Sequence, residues 1–347
     1  MRLRILLAGS FQHAIYEEAW ARAFTVLGHE VIRFAWADRF PGFLGRVQNR
    51  LLAGPALFRL NRDLHALALR ENPDAVVVYR GTHVFARTLR KLRHALPGTV
   101  FCAYNNDDPF SANAGPLLFR HFISSVGEND LNLVYREKNA RELRDRGARG
   151  VHVVLPAYLP WRDLPPAADS QAKYRCDVLF AGHYEADGRA NFLCALKRQV
   201  PQLRVCGPQW QRAPSAVREL LNPEPALAGA DYVQQLGSAR IALSLLSGLN
   251  SDRYTRRCFE IPAVGSLLLC QRSSEMESLF LPGLEADYFS TPAELCAQVR
   301  RYLDDEPLRA RVARAGHEKV RSAGHDMVSR VGEVATLLAS ALAEKRR

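Results

Sequence analysis

No run of about 18 apolar residues occurs, so the sequence offers no membrane span. Residues 1–10 carry an apolar stretch too short for a signal-peptide core and read as a first strand entering a turn. Cysteine is sparse and scattered: seven, at positions 102, 176, 194, 206, 258, 270 and 296, with no CxxC pair. That excludes a zinc cluster and a disulfide framework, and it fits small buried thiols in a reducing, cytoplasmic compartment. The turn after the first strand, Gly9-Ser10-Phe11-Gln12-His13-Ala14, lacks the G-x-G-x-x-G spacing, which weakens a nicotinamide dinucleotide reading. No G-x-x-x-x-G-K-[ST], G-x-S-x-G or H-E-x-x-H occurs either, which argues against P-loop, serine-hydrolase and zincin chemistry. Glycine (22) and proline (19) are too few for a collagenous or disordered chain.

What is present is an ordinary globular composition, 48% hydrophobic and 24% charged, over 347 residues. That length suits two domains of about 150 residues, each able to bury its own core. The net charge is +11 and uneven. Residues 1–157 hold 22 Lys and Arg against 14 Asp and Glu, and the rest hold 25 against 22. A basic N-terminal half points to an acidic partner, such as anionic lipid or a phosphorylated acceptor, or to simple solubility.

Strands and helices alternate along the first half. Short apolar runs at 4–8, 31–36, 74–79, 99–104 and 151–155 read as strands. Helical spacing recurs at 15–27, 82–95 and 133–146. After a Pro-rich stretch at 156–171 the pattern restarts, with strands at 177–181, 203–206, 241–246 and 267–270. Helices are read at 191–199, 294–303 and 307–320. The expectation is two doubly wound α/β domains of Rossmann type. Their bounds are 1–158 and 173–326, with a linker at 159–172 and a final helix at 327–347 returning to the first domain. Residues 43–70 break the rhythm: helical, apolar, and basic, with Arg46, Arg50, Arg59, Arg62 and Arg70 against the single acid Asp63. They read either as a crossover helix pair packed on the sheet or as a segment lying on an anionic membrane.

Ligands of such domains gather at the carboxyl ends of the strands, here a cleft between two sheets. The segment Asn250-Ser251-Asp252-Arg253-Tyr254-Thr255-Arg256-Arg257-Cys258-Phe259-Glu260 follows a strand and its Ser247-Gly248 turn. A helix starting near Asn250, capped by Ser251 or Asp252, would suit a phosphate. Arg256 and Arg257 would neutralise a diphosphate, and Glu260 would accept bonds from a ribose diol. A helix with solvated charges is the plainer alternative.

The run from Arg257 through Phe259-Glu260-Ile261-Pro262-Ala263-Val264-Gly265 to Leu269 resembles the C-terminal domain of CgeB-like (spore-protein-type) glycosyltransferases. Glu277-Ser278-Leu279-Phe280 and Ala286-Asp287-Tyr288-Phe289 continue the likeness. So does Phe180-Ala181-Gly182-His183-Tyr184 with Arg189, and, more loosely, Tyr104-Asn105-Asn106-Asp107-Asp108-Pro109. The resemblance implies a GT-B fold whose second domain holds a nucleotide-sugar donor. It makes Glu260 the ribose contact and Arg257 a diphosphate contact, with Gly182 and Arg189 on the phosphate side and Gly207 on the base side. Related retaining enzymes carry two glutamates separated by seven residues; the first position here is Asp252.

Catalytic candidates are His13, in the loop after the first strand, and the adjacent Asp107 and Asp108, of which one would act and the other cap a turn. No cofactor and no essential metal are expected, because Arg and helix dipoles usually neutralise the leaving diphosphate in this fold. The reading is a cytoplasmic glycosyltransferase of hexosyl type, peripheral at the inner membrane face and serving surface-glycan or glycoconjugate synthesis. It would take a nucleotide-diphosphate sugar and a glycan, lipid-linked or protein acceptor. A non-catalytic sugar-nucleotide or glycan-binding protein and an epimerase are the alternatives. Nucleic acid is not expected, since the positive charge is diffuse and no stacking module is present.

Overall fold

A computed structural model describes residues 1–111, 115, 117–166 and 171–347. Part of the expected linker, 167–170, lies outside the described residues. The chain divides into two compact units, Met1–Leu155 with Met327–Arg347, and Pro156–Asp326.

Unit 1 runs β1 (Arg4–Gly9), α1 (Glu17–Val26), β2 (Glu30–Ala35), α2 (Gly42–Leu51), α3 (Pro55–Glu71), β3 (Ala75–Tyr79), α4 (Ala86–Ala95) and β4 (Val100–Asn105). It continues through α5 (Arg120–Ser125), β5 (Leu131–Val134), α6 (Glu137–Arg144) and β6 (Val151–Val153). The strands form one parallel sheet in the order β2-β1-β3-β4-β5-β6. All five residues of β3 are buried, as a valine run covered on both faces requires. The helical spacing over 133–146 conceals β5. Tertiary pairing decides there: β5 lies between β4 and β6, and the buried Asn132 amide donates to the carbonyls of Val126 and Arg149. The final helix of the chain, which closes unit 1, buries Val331, Val334, Leu338 and Leu342. Its Lys345 ammonium lies 2.7 Å from the Asp130 carboxylate.

Unit 2 opens with α7 (Gln171–Tyr174), β7 (Cys176–Ala181), α8 (Arg189–Gln199), β8 (Leu203–Cys206), α9 (Ser215–Leu221) and α10 (Gly229–Ser238). Then come β9 (Ala239–Ser244), α11 (Arg257–Ala263), β10 (Leu267–Gln271), α12 (Ser274–Leu279) and β11 (Asp287–Phe289). Two long helices follow, α13 (Pro292–Asp304) and α14 (Glu306–Ser322), and the final helix of the chain is α15 (Met327–Lys345). The sheet is again parallel, in the order β11-β10-β9-β7-β8. Numbered within each unit, both sheets place the second strand outside the first and the third on its other side. The direction of winding therefore reverses between β1 and β3 in unit 1, and between β7 and β9 in unit 2. In open α/β sheets these switch points are where ligands bind.

Two expectations need correcting. The helix foreseen near Asn250 does not form there: residues 248–256 are turn and loop, and α11 starts only at Arg257. Ser251 sits at φ 53°, a left-handed conformation that cannot open a right-handed helix. The described part of the expected linker is also no free tether, because Leu159 and Asp163 are both 1% exposed and packed into unit 2. Among the described residues no helix is long and apolar enough to cross a membrane. Six cysteines are buried, Cys176 is half-buried, and all seven are free thiols.

Candidate functional site

At the switch point of unit 2, β7 runs out into Gly182 just past its end. The Gly182 amide donates to the Cys206 carbonyl (2.8 Å), and its carbonyl accepts from the Trp210 indole (2.9 Å). Gly207, at the end of β8, has φ 144°, and a Cβ on it would stand 2.2 Å from the Gly182 oxygen. The two expected glycines thus meet, and backbone contact alone demands Gly207.

The loop that follows is organised by Arg189. Its guanidinium forks onto Asp187 (2.8 and 2.7 Å), donates to the His183 carbonyl (2.7 Å) and reaches Glu185 at 3.0 Å. Glu185 is 8% exposed; it pairs with the His183 imidazole and accepts from the Ser247 hydroxyl at 2.5 Å. Asp187 accepts from the Gly248 amide (3.3 Å). Loops from β7 and β9 are therefore tied across the switch point. Burial draws the Asp187 carboxyl upward, but the Arg189 fork and two backbone amides outweigh it and hold it below the usual range. The Arg189 side chain is only 4% exposed and its donors are committed to the loop, which it holds together.

Glu260 lies inside α11 and is 4% exposed. One oxygen accepts from Arg162 (2.6 Å) and forms an ion pair with the Arg256 guanidinium (2.8 Å), and the other accepts from the Tyr232 hydroxyl (2.9 Å). Burial opposes its charge, yet Arg256, Arg162 and Arg257 prevail and keep its carboxyl below the ordinary range. The neighbouring Asp163 goes the other way: burial and the Glu260 charge push it up. The charge of Arg257 is felt at Glu260, at Tyr232 and at Cys206, which precedes Gly207. The structure thus gathers Arg256, Arg257 and Glu260. Asn250 and Ser251 lie on the β9 loop, where the Asn250 amide donates to the Ser247 hydroxyl (3.2 Å).

In unit 1, His13 is exposed after β1, and its ring meets Tyr16 edge-on at 6.0 Å. Asp107 pairs with Arg80, which leaves β3. Asp108 turns inward: it is 1% exposed and accepts from Lys138 (2.7 Å), Asn139 (2.8 Å) and the Phe110 amide (3.0 Å). Asp108 is thus a buried post joining the β4 loop to α6. Between the β1 and β3 loops lies a polar cavity of about 120 Å³ whose walls include Ser10, Glu17, Asn49, Arg80 and His83. Glu17 is 3% exposed and accepts from the Ser10 amide (2.8 Å).

Sequence reasoning missed Glu185, Asp187, Arg162, Asp163, Tyr232 and Glu17. The alternation Glu185-x-Asp187-x-Arg189 beside two glycines was a readable signal. Arg162-Asp163 was hidden in a Pro-rich run without period. Among the described residues no group of three or more His, Cys, Asp or Glu side chains could hold a metal ion.

The chain matches a family model described as glycosyl transferase-like over residues 189–336. A comparison with curated proteins gives no match. Sucrose-phosphate synthase from Thermosynechococcus elongatus is similar in structure, with a TM-score of 0.73, 13% identity, and coverage of 99% of this chain and 100% of that one. HepE from Anabaena, solved in complex with UDP-glucose, gives 0.67, 14%, 98% and 100%. An α,α-trehalose 6-phosphate synthase from Burkholderia multivorans gives 0.65, 12%, 99% and 100%. At such identities the likeness carries the fold: two parallel-sheet Rossmann-like domains of the GT-B class.

Proposed function

We propose that this chain is a glycosyltransferase that moves a sugar, of hexose type, from a nucleoside-diphosphate sugar to an acceptor. The observation that supports it best is Glu260: a buried carboxylate kept ionised by three arginines beside the unit 2 switch point. An ionised carboxylate is purely an acceptor, so it can take two hydroxyl donors from a ribose in exchange for Tyr232 and one arginine bond. Arg257 then faces the diphosphate and stabilises the charge that develops as the sugar leaves. Gly182 and Gly207 wall the donor, Asn250 and Ser251 line it from the β9 loop, and Arg189 holds the loop in place. HepE of the same fold was solved with UDP-glucose, which makes UDP the first nucleotide to try.

We place the acceptor, a glycan or lipid-linked intermediate of surface-glycan synthesis at the inner membrane face, on the basic unit 1. His13 and Asp107 are the candidates for its general base. The narrower kinship with CgeB-like enzymes is part of the same proposal.

Thermal shift against UDP, GDP, dTDP, ADP and CMP tests the donor site, with Glu260→Gln beside the unaltered chain. One diphosphate is expected to raise the midpoint by mass action, and the variant to bind it about ten- to a hundredfold more weakly. No shift with any nucleotide at millimolar concentration overturns the assignment. Binding without transfer from any donor would favour a non-catalytic sugar-nucleotide protein; an altered sugar released without acceptor would favour an epimerase.

A further inference from the structure

Helix α2 has its apolar stripe on the outside. Of its ten residues only Gly45 is buried, where an added Cβ would stand 2.4 Å from the Phe40 backbone. The neighbours of Gly45 on that face are held to the body of unit 1. Gln48 accepts from the Ala56 amide (2.7 Å), and Asn49 meets the His83 ring (2.7 Å). At about 100° per residue, Phe43, Leu44, Val47 and Leu51 fall together on the opposite side. They are 72%, 72%, 37% and 53% exposed. Arg46 and Arg50 border the stripe, and α2 contains no acid.

The surface continues past the C-terminal end of α2. Arg120 donates to the carbonyls of Leu51 (2.7 Å), Leu52 (2.6 Å) and Leu117 (3.1 Å), which sets the exposed Leu117 and Leu118 beside the end of α2. His121 meets the Leu52 carbonyl at 3.0 Å and packs against Phe85, which packs against the half-exposed Phe58 (5.4 Å). Phe58 and Phe85 wall a groove of about 380 Å³ between α3 and α4, lined also by Arg62, His65, Arg87 and Lys91 and by no acid. The Arg87 guanidinium lies 4.9 Å over both rings.

We propose that this face of unit 1, the α2 stripe with the α3–α4 groove, docks on an anionic lipid bilayer. The bilayer supplies apolar depth for Phe43 and Leu44 and phosphates for the groove. A second copy fits badly, because a two-fold contact would set these arginines against their own equivalents. The inference is independent of the donor site, and its test contains no nucleotide.

The full chain is sedimented with vesicles of phosphatidylcholine alone and with about 30% phosphatidylglycerol, at low and high salt. Binding is expected only to the anionic vesicles and is expected to weaken with salt. Phe43→Ser with Leu44→Ser should weaken it about tenfold or more. Arg87→Gln with Lys91→Gln should do the same, at about fivefold per cation, and flatten the salt dependence. Each variant should keep the melting midpoint of the parent. A folded chain that ignores anionic vesicles overturns the proposal, as does equal binding to both vesicles with the Arg87 and Lys91 variant silent. Lipid-free dimerisation abolished by the Phe43 and Leu44 variant also overturns it, and assigns the face to a second copy.

Discussion

At the unit 2 switch point two loops are stitched together by Glu185, Asp187, Arg189 and Ser247, while at the unit 1 switch point the equivalent loops enclose a cavity. The strand order around both is the same. Since that local strand order is shared, the difference resides in the loops and in the helices that adjoin them, which is where function is to be argued. Around its switch point unit 2 pairs Glu185, Asp187 and Glu260 with arginines in a buried, fixed geometry. Unit 1 buries Glu17 beside a polar cavity and, elsewhere on its surface, exposes cations and an apolar helix face.

The largest expected effect breaks the stitched side of that comparison. Arg189→Ala leaves Asp187 and Glu185 buried without their cation. Such a loss costs about 3–5 kcal/mol, because an unpaired buried charge remains. Hydrogen exchange should show protection lost in the loops 182–188 and 245–256 and kept around β1 and β3. Unchanged exchange in unit 2 would mean that water already shields these carboxylates and that the stitching is incidental.

A somewhat smaller effect probes the cavity side. Burial, with Arg80 and His121 alongside, pushes the His83 imidazole down to about 4. The ring stacks on Trp36 at 5.2 Å and is bonded to Asn49 and Thr82. Between pH 6.5 and 4 the unfolded chain carries this proton and the folded chain does not. Stability from this group is therefore full above about pH 6.5 and falls by about 3 kcal/mol as pH drops toward 4. Denaturant midpoints measured across that range should fall less steeply in His83→Gln. An identical pH slope would place His83 in contact with water and dissolve the cavity wall.

How far the sequence revealed these sites differs by kind of evidence. The parallel sheets were readable because buried strands are near-continuous apolar runs, as at Val76-Val77-Val78. Glu260 and its arginines were readable because they are close in the chain. Tyr232 and Arg162 were not, because they meet Glu260 across 28 and 98 positions, and the tie from Glu185 to Ser247 spans 62; periodicity carries no long-range pairing. The helix foreseen near Asn250 was misread for a related reason. Ser and Asp before an apolar run are cap signals, but the Ser247 hydroxyl is committed to Glu185, and its carbonyl accepts from the Asp252 amide (2.9 Å), which holds residues 247–252 in a turn.

The smallest expected effect on stability separates two neighbours that sequence alone could not rank. Asp107 and its partner Arg80 are 31% and 44% exposed at the side chain, so Asp107→Asn should change stability by less than about 1 kcal/mol. Asp108→Asn weakens a wholly buried carboxylate with three donors, and should cost about 2 kcal/mol or more. The ranking for chemistry runs the other way. In the proposed transferase Asp107, rather than Asp108, is a candidate general base, so Asp107→Asn should lower turnover about a hundredfold while leaving nucleotide binding intact. The Asp108 variant should keep the turnover of whatever fraction stays folded. Paired chemical melts and single-turnover rates on both variants decide the matter. Turnover lost with Asp108 and kept with Asp107 would reverse the assignment, and would mean that the β4 loop opens to expose what this structure buries.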